Sequence, residues 1–536
     1  MLRRERRTPC GPPTVTLSLP SITSRRHPLV QACRDARAGG PDEPLLLDGW
    51  HLLVEAVAAG LAVDAVAVDS DPPGDAEARA LDALIEAGAQ VVHATDDVLQ
   101  AMSPVRTASG VVALARRPAF SEIDVLAGAA ALVVGVAAAC FAAAFRRSAF
   151  WVTEHVAGSS DPTVAASNLA VAERLAIIGG ALVLAWLLAR TSMRLARNRL
   201  GLAQLAAAAR GEGAAPSLGC TLLHSGSTWI ATAGMLSIGR ESAIIETGGA
   251  IGAAVAGSDA PRRPSLIAAG VAAAFAAAYH APLSAVVYVE GHIGIRDSRR
   301  SLIYGLIGAA SGYTTAELAL GGEAVLPGLE RLDGSVVGFA ALGVVPAIVA
   351  SLLFRWLRER FPRVDSGGIA RAHWVAAALA VGLVGAFPKA TGNGLEALRS
   401  AATSPTMQLV LAMVVVKMIA TVATLRSGVP GGVFSPSLAV GAGAAMAALL
   451  VCGVSPSRAG ELWGAALVAM AAAITISLRS PLLGALVVAE LCGDPKVLPL
   501  TIVAAVVASV ADHGFVAAAK RLAGKGVPAV VDDADG

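Results

Sequence analysis

Residues 428–443, GVPGGVFSPSLAVGAG, decide the fold of this chain. Glycines and prolines interrupt the approach to a long apolar run and leave backbone amides without helical partners. In lipid an unpaired amide costs several kcal/mol, so broken helices persist at membrane depth only where protein or a polar cavity satisfies them. Residues 239–252, GRESAIIETGGAIG, repeat the arrangement and add a carboxylate, Glu241, at the break. Two helix N-termini that face one carboxylate are typical of an anion site.

The composition predicts a polytopic membrane protein. The 536 residues are 55% hydrophobic and only 15% charged, and the mean hydropathy is +0.65. Apolar runs begin near Val125 and recur to about Val510, and their many small residues suit closely packed helices. The formal net charge of +2 gives no information about an acidic partner. The six cysteines are scattered, so we expect no disulfide framework, no metal site and no cofactor.

Residues 1–118 differ in pattern from the rest of the chain. Short apolar runs predict four strands, at 44–50, 63–70, 89–95 and 110–118. They alternate with helical patterns, at 28–38, 50–60, 77–88 and 95–102. This alternation predicts a small α/β domain with a partly parallel sheet.

The same segment resembles a known family in the order of three motifs, SRRHPLVQACRDARAG, LLLDGWHLLVEAVAAG and VVHATDDVLQAMSPVRTASGVVALARRP. They are similar to the substrate-binding domain of the SPOUT-class RNA 2'-O-ribose methyltransferases, which implies a module that contacts RNA. The chain after Ile123 is predicted to be membrane rather than a methyltransferase domain, so we expect no enzyme activity. Because acidic residues slightly outnumber basic ones over residues 1–118, RNA is a weakly supported partner, and a folded appendage without RNA binding is the alternative.

The membrane part contains an internal repeat. Alignment of its two breaks places Ala243 opposite Pro436 and Gly248 opposite Gly441. A second pair follows, in which HAPLSAVVYVEG from His280 matches RSPLLGALVVAELCG from Arg479. The repeat predicts two halves of the same order, at about 124–320 and 334–515, with a binding site near the midplane between them. A polar tail is expected at 526–536.

Residues 119–525 resemble the CLC family of chloride channels and proton-coupled anion exchangers. The motifs that carry the resemblance are GVFSP, GRESA, AAYHAPLSA and RSPLLGALVVAEL. GVFSP matches the family's GxFxP, and GRESA departs from its GREGP. The resemblance implies an all-α polytopic fold of broken helices, behind the N-terminal α/β domain, in which the two halves are inverted repeats. It also implies a homodimer in which each subunit has its own anion pathway.

The predicted site combines backbone amides with one carboxylate. The amides of Val433 and Phe434 would coordinate a dehydrated anion, and the helix opening at Gly239 and Arg240 would add its positive end. Glu241 would act as a tethered competitor that closes the path when ionised and swings away when protonated. The alternative is that Glu241 caps a helix or pairs with Arg240.

Other positions depart from the family. Its anion-binding serine should lie about forty residues before Glu241, where this chain has Leu200 or Gly201, so only the Gly201 backbone remains as a candidate ligand. Its site-lining tyrosine falls on Phe515 or Val516. Two other hydroxyls are candidates to replace them, those of Ser435 and Thr232.

The proton-handling glutamate of the exchangers is also displaced. Direct counting puts His292 at that position and Glu290 two residues before it, whereas comparison of the two repeats puts Gly291 there. A histidine can relay protons near neutral pH, so His292 and Glu290 are the candidate proton relay.

These inferences together predict transport of small monovalent anions, chloride-like, by a channel or by exchange with protons. The lipid bilayer is the other implied partner, and we expect a multi-pass protein of the inner membrane with a cytoplasmic N-terminal domain. The competing hypothesis is a transport-inactive membrane anchor that displays an RNA-binding module. Which anion is carried, and whether by channel or exchanger, stays open at this point.

Overall fold

The structure is a computed structural model. It describes residues 19–38, 44–69, 72–105, 109–116, 125–259, 261–294, 299–322, 324–329, 331–361, 371–403 and 405–523. The predicted polar tail at 526–536 lies outside these residues. The chain divides into two compact units, Met1–Glu122 and Ile123–Gly536.

The first unit is a five-stranded sheet with helices. In chain order its elements are β1 (Ser21–Ile22), α1 (Pro28–Ala38), β2 (Leu45–Asp48), α2 (Trp50–Ala58), β3 (Val63–Val68), α3 (Asp75–Glu86), β4 (Gln90–Ala94), α4 (Asp96–Met102) and β5 (Val111–Ala115). The sheet order is β1-β4-β3-β5-β2; β1, β4 and β3 are parallel, and β5 is antiparallel to both β3 and β2. The predicted α/β domain with a partly parallel sheet is confirmed. The sequence pattern missed β1, because two residues are too few to show alternation.

The second unit is helical throughout the described residues. Its first half contains α5 (Val125–Ala157), α6 (Pro162–Asn168), α7 (Val171–Leu195), α8 (Leu202–Ala209), α9 (Leu218–Ala233), α10 (Glu241–Ala256), α11 (Arg263–Tyr279), α12 (Pro282–His292) and α13 (Arg299–Leu320). Its second half contains α14 (Gly334–Arg360), α15 (Arg371–Ala386), α16 (Leu395–Thr403), α17 (Met407–Arg426), α18 (Phe434–Val451), α19 (Ala459–Leu478), α20 (Pro481–Cys492) and α21 (Leu498–Ala523). Among the described residues, seven helical segments are long and apolar enough to cross a membrane.

Corresponding elements recur in the two halves. The helices α10 and α18 begin at Glu241 and Phe434, which the alignment of the two breaks places opposite each other. The next helices, α11 and α19, are followed by His280 (φ 54°) and Arg479 (φ 51°), two non-glycine residues in the left-handed conformation. Each is followed, after one further residue, by a proline that starts the next helix. The assignment of these halves as inverted repeats stays a prediction.

Glycines allow the helices of this unit to approach closely. A Cβ on Gly270 in α11 would overlap the carbonyl of Gly248 in α10, and a Cβ on Gly248 would overlap the carbonyl of Gly270. In the second half, a Cβ on Gly441 in α18 would collide with Ala473 in α19. In a bilayer, where helix association relies on close packing rather than on hydrophobic burial, such contacts fix the arrangement of the helices.

We expect Gly270→Ala to lower the free energy of unfolding of the detergent-purified protein by about 1–3 kcal/mol, and to lower its melting temperature accordingly. The added methyl group meets backbone atoms of Gly248, which cannot rotate away. Gly180→Ala in α7 is the matched control, because among the described residues no atom outside the adjoining turns of α7 lies within 4 Å of a Cβ at that position. Equal melting temperatures for the two variants would contradict this packing.

Candidate functional site

The two breaks meet in an isolated antiparallel bridge between Gly239 and Gly432. The amide of Gly239 donates to the carbonyl of Gly432 at 2.9 Å, and the amide of Gly432 donates to the carbonyl of Gly239 at 2.7 Å. A Cβ on Gly239 would lie 2.6 Å from the Gly432 oxygen, closer than side chains approach, so the bridge requires glycine there. The bridge brings the starts of α10 and α18 together.

Both helix starts present backbone amides that helix geometry leaves without partners. The N-cap residues are Arg240 for α10 and Val433 for α18, and neither side chain makes a capping hydrogen bond. Position N3 of α18 is Pro436, which has no amide hydrogen, so the amides near Val433 and Phe434 are the donors available at this end. The positive ends of two helix dipoles therefore lie side by side.

Glu241 is the first residue of α10 and is 4% exposed. Its Oε1 accepts a hydrogen bond from Nδ2 of Asn393 at 2.9 Å, and it lies 3.8 Å from Nε of Arg240. Its Oε2 is buried and has no hydrogen-bond partner among the described residues. The expected contact with Arg240 is thus present, but the closer partner is Asn393, and one carboxylate oxygen is left unsatisfied.

Two buried cations near Glu241 have partners, whereas Nε and Nη1 of a third, Arg146, have none among the described residues. Nη1 of Arg240 lies 3.3 Å from Oε1 of Glu396 in α16. Lys417 in α17 is 1% exposed, and its Nζ donates to the carbonyls of Ala390 at 3.2 Å and Gly392 at 2.5 Å. Because these carbonyls belong to the loop that carries Asn393, Lys417 holds in place the group that contacts Glu241.

Sequence reasoning missed Asn393, Glu396 and Lys417. One signal was available, because Lys417 interrupts the apolar run of α17 and an ionisable residue inside a membrane segment is rare and commonly functional. Asn393 gave no comparable signal, since it follows a short turn in a loop and lies 152 residues from Glu241 in the chain.

A cavity of about 360 Å³ reaches the two helix starts. Its lining includes Glu241 and Ser242 of α10, and Val433 and Phe434 at the start of α18. It extends to the C-terminal end of α14 and contacts further polar side chains, those of Tyr279, Tyr288, Arg358 and Glu359. The predicted ligands Val433 and Phe434 therefore share one cavity with the predicted gate.

The remaining predicted residues lie in different positions. Gly201 precedes α8 with a φ of 105° and is not among the residues that line this cavity. Glu290 is exposed, whereas the ring of His292 stacks on Tyr288, with ring centroids 4.5 Å apart and planes 12° apart. Since Tyr288 lines the cavity, His292 is the better placed of the two relay candidates.

The two replacement hydroxyls differ in their contacts. Thr232 donates to the carbonyl of Thr228 at 2.8 Å, so its proton is already used within α9. Ser435 is 0% exposed, and its Oγ has no hydrogen-bond partner among the described residues. Of the two, Ser435 is the one with an available donor.

Residues 179–513 match the model of the family described as voltage gated chloride channel. The chain belongs to this family. The resemblance inferred from the sequence motifs is therefore confirmed, and the expectation of a polytopic all-α membrane fold is confirmed with it. The match begins at residue 179, so the resemblance of residues 1–118 to an RNA-binding domain stays a prediction.

Two bacterial relatives illustrate the similarity. The chain is 30% identical over 318 residues to the voltage-gated ClC-type chloride channel ClcB of Citrobacter koseri, a match that covers 54% of this chain and 72% of the relative. It is 28% identical over 293 residues to the H(+)/Cl(-) exchange transporter ClcA of Cronobacter sakazakii, covering 50% of this chain and 62% of that relative.

Solved structures show the same fold. A slow cyanobacterial Cl-/H+ antiporter superposes with a TM-score of 0.60 at 22% identity, over 73% of this chain and 94% of that chain. A CLC-type fluoride/proton antiporter superposes with a TM-score of 0.54 at 19% identity, over 74% of this chain and 96% of that chain. At these identities the likeness concerns the fold.

We expect Asn393→Ala to destabilise the folded protein at neutral pH by about 1–3 kcal/mol, because it leaves a buried carboxylate oxygen without its donor. The same substitution in a Glu241→Gln background should cost less, since a neutral amide is cheaper to leave unpaired. A double-mutant cycle on thermal unfolding measures the difference. Asn168→Ala is the control, because the hydrogen bond from its Nδ2 to the carbonyl of Ala157 is long, at 3.4 Å, and does not involve a charged group. Additive effects of the two site substitutions would contradict the Asn393 to Glu241 contact.

Proposed function

We propose that the second unit transports small monovalent anions across the membrane and that Glu241 is the gate. The observation that supports this most is the pair of uncapped helix starts, joined by the Gly239 to Gly432 bridge, beside a buried carboxylate with one unsatisfied oxygen. Partial positive charge from two helix dipoles suits one compact anion. Membership of the voltage gated chloride channel family supports the same function.

In this mechanism the amides of Val433 and Phe434 coordinate the anion, and the start of α10 at Gly239 and Arg240 adds its positive end. An ionised Glu241 carboxylate competes for the same donors. A protonated Glu241 has lost its charge and leaves them to the anion, so arrival of a proton and passage of an anion become linked. In the structure the Glu241 side chain is held by Asn393, whose Nδ2 donates to Oε1 at 2.9 Å.

We propose proton-coupled exchange, with a channel as the second candidate. The relatives include proteins named as exchange transporters and as a channel, and the chain spans 62% of the length of the first exchange transporter. Support for exchange comes from the stacked pair of His292 and Tyr288, which connects a titratable ring to the cavity that contains Glu241. His292 would exchange protons with one side of the membrane, and Glu290 at the exposed surface would assist.

The proposal also covers the N-terminal unit, the oligomeric state and the cellular location. We infer a homodimer in the inner membrane with residues 1–118 in the cytoplasm. An RNA-binding role gains little support from the surface of the first unit, because Arg25 pairs with Asp97 at 3.1 Å and Arg116 pairs with Asp64 at 2.9 Å. Basic side chains that pair with carboxylates are poor phosphate ligands. The transport-inactive anchor is not favoured.

Flux into liposomes tests the proposal. Wild-type protein should move radiolabelled chloride, nitrate or fluoride and drive a counter-movement of protons. Glu241→Gln should keep anion flux and lose the proton movement, because an amide neither ionises nor carries the proton. Glu154→Gln, an exposed glutamate in α5, is the control and should behave as wild type.

Absence of flux for all three anions in the wild type would refute transport. Anion flux without proton counter-movement in the wild type would refute exchange and leave the channel. Proton coupling that survives in Glu241→Gln would refute the assignment of the gate.

A further inference from the structure

Three buried polar atoms lie close to the start of α18 and have no hydrogen-bond partner among the described residues. They are Oε2 of Glu241, Oη of Tyr279 and Oγ of Ser435. The residues are 4%, 1% and 0% exposed, so bulk water does not satisfy these atoms. Buried polar groups in folded proteins are nearly always hydrogen-bonded, and an unsatisfied cluster therefore indicates a ligand.

Tyr279 is fixed by packing rather than by hydrogen bonding. It is the last residue of α11, and its ring centroid lies 4.5 Å from that of Phe434 and 4.8 Å from that of Phe275. The aromatic contacts hold the ring against the first residue of α18. The side chain lines the same cavity as Glu241 and Val433.

The hydroxyl of Tyr279 lies among the groups that compose the candidate anion site. Its polar neighbours are the carboxylate of Glu241 and the hydroxyl of Ser435, although the two hydroxyls do not meet hydrogen-bond geometry with each other. Both hydroxyls are therefore available as donors. They come from different halves of the chain, one from the end of α11 and one from the first turn of α18.

We propose that the hydroxyls of Tyr279 and Ser435 are the side-chain ligands of the transported anion. They take the place of the hydroxyls that are missing at Gly201 and Phe515, where the family resemblance expects a serine and a tyrosine. This inference rests on the proposed anion transport and specifies its ligands. Tyr279 lines the cavity together with Val433 and Phe434, and Ser435 follows Phe434 in the first turn of α18, so side-chain and backbone donors lie close together.

The donor set also limits the chemistry of the ligand. Hydroxyls and amides supply partial positive charge, and two of the nearby cations are already committed, Arg240 to Glu396 and Lys417 to the carbonyls of Ala390 and Gly392. Such a set of neutral donors suits a weakly basic monovalent anion.

Tyr279 also has a part in gating. Oε2 of Glu241, which has no hydrogen-bond partner among the described residues, is a neighbouring acceptor for the same hydroxyl. An ionised carboxylate would take the hydrogen bond in place of the anion, and a protonated one would release it. The hydroxyl thus alternates between the gate and the anion.

Isothermal titration of the purified full chain with chloride tests this inference. Tyr279→Phe removes one oxygen and keeps the ring, and we expect it to weaken chloride binding about tenfold or more, as loss of a hydrogen bond to a charged group does. Ser435→Ala should weaken binding in the same direction. The thermal stability of Tyr279→Phe in chloride-free buffer should be equal to or higher than that of the wild type, because no protein group loses a partner.

Tyr304→Phe is the matched control. Tyr304 is 4% exposed and packs against Ala127 and Leu266, outside the residues that line the cavity. The Tyr304→Phe variant should therefore bind chloride with the same affinity as the wild type. A lower stability of Tyr279→Phe without chloride, including failure to fold, would show a structural role for the hydroxyl and overturn the inference.

The results separate this inference from the proposed function. If wild-type protein binds chloride and Tyr279→Phe binds it equally well, Tyr279 is not a ligand and the transport proposal still stands. If the wild type neither binds nor transports chloride, nitrate or fluoride, both are overturned. Weaker binding by Tyr279→Phe at unchanged stability is the result that supports the inference.

Discussion

The site depends on the two hydrogen bonds between Gly239 and Gly432. They join the breaks of the two halves in an antiparallel bridge, with nitrogen-to-oxygen distances of 2.9 and 2.7 Å. They are possible because glycine allows the two backbones to approach so closely. Once the bridge forms, α10 and α18 must begin beside each other, and neither start has a side-chain cap. The amides that a soluble protein would cap or hydrate are thereby directed at one buried position.

The charged groups around the bridge differ in how completely they are hydrogen-bonded or paired, and this difference supports the role proposed for Glu241. Arg240 has Glu396, and Lys417 has two loop carbonyls, so these two cations are compensated within the protein, whereas Nε and Nη1 of Arg146 have no hydrogen-bond partner among the described residues. Glu241 is satisfied at one oxygen only, by Asn393. Its contact with Arg240 is longer, at 3.8 Å, so this carboxylate can change partners more readily than one held in a close ion pair.

Much of this arrangement was predictable from the sequence. Glycine and proline breaks located the helix starts at Glu241 and Phe434, and alternating apolar runs predicted the N-terminal α/β unit. The contacts of Asn393 and Tyr279 were not predictable in the same way. Asn393 reaches Glu241 across 152 residues through a loop that Lys417 positions. Tyr279 belongs to a recognisable motif as an aromatic residue, but only the packed structure shows that its hydroxyl has no partner.

Anomalous diffraction from crystals soaked in bromide tests the central claim most directly, because bromide is a heavy monovalent anion that can be located without ambiguity. The account predicts an anomalous peak at the starts of α10 and α18, within hydrogen-bond reach of the Phe434 amide and the Tyr279 hydroxyl. The peak should be stronger in Glu241→Gln, which has no competing carboxylate. Bromide bound only elsewhere, with none at the two helix starts even in Glu241→Gln, would contradict the account.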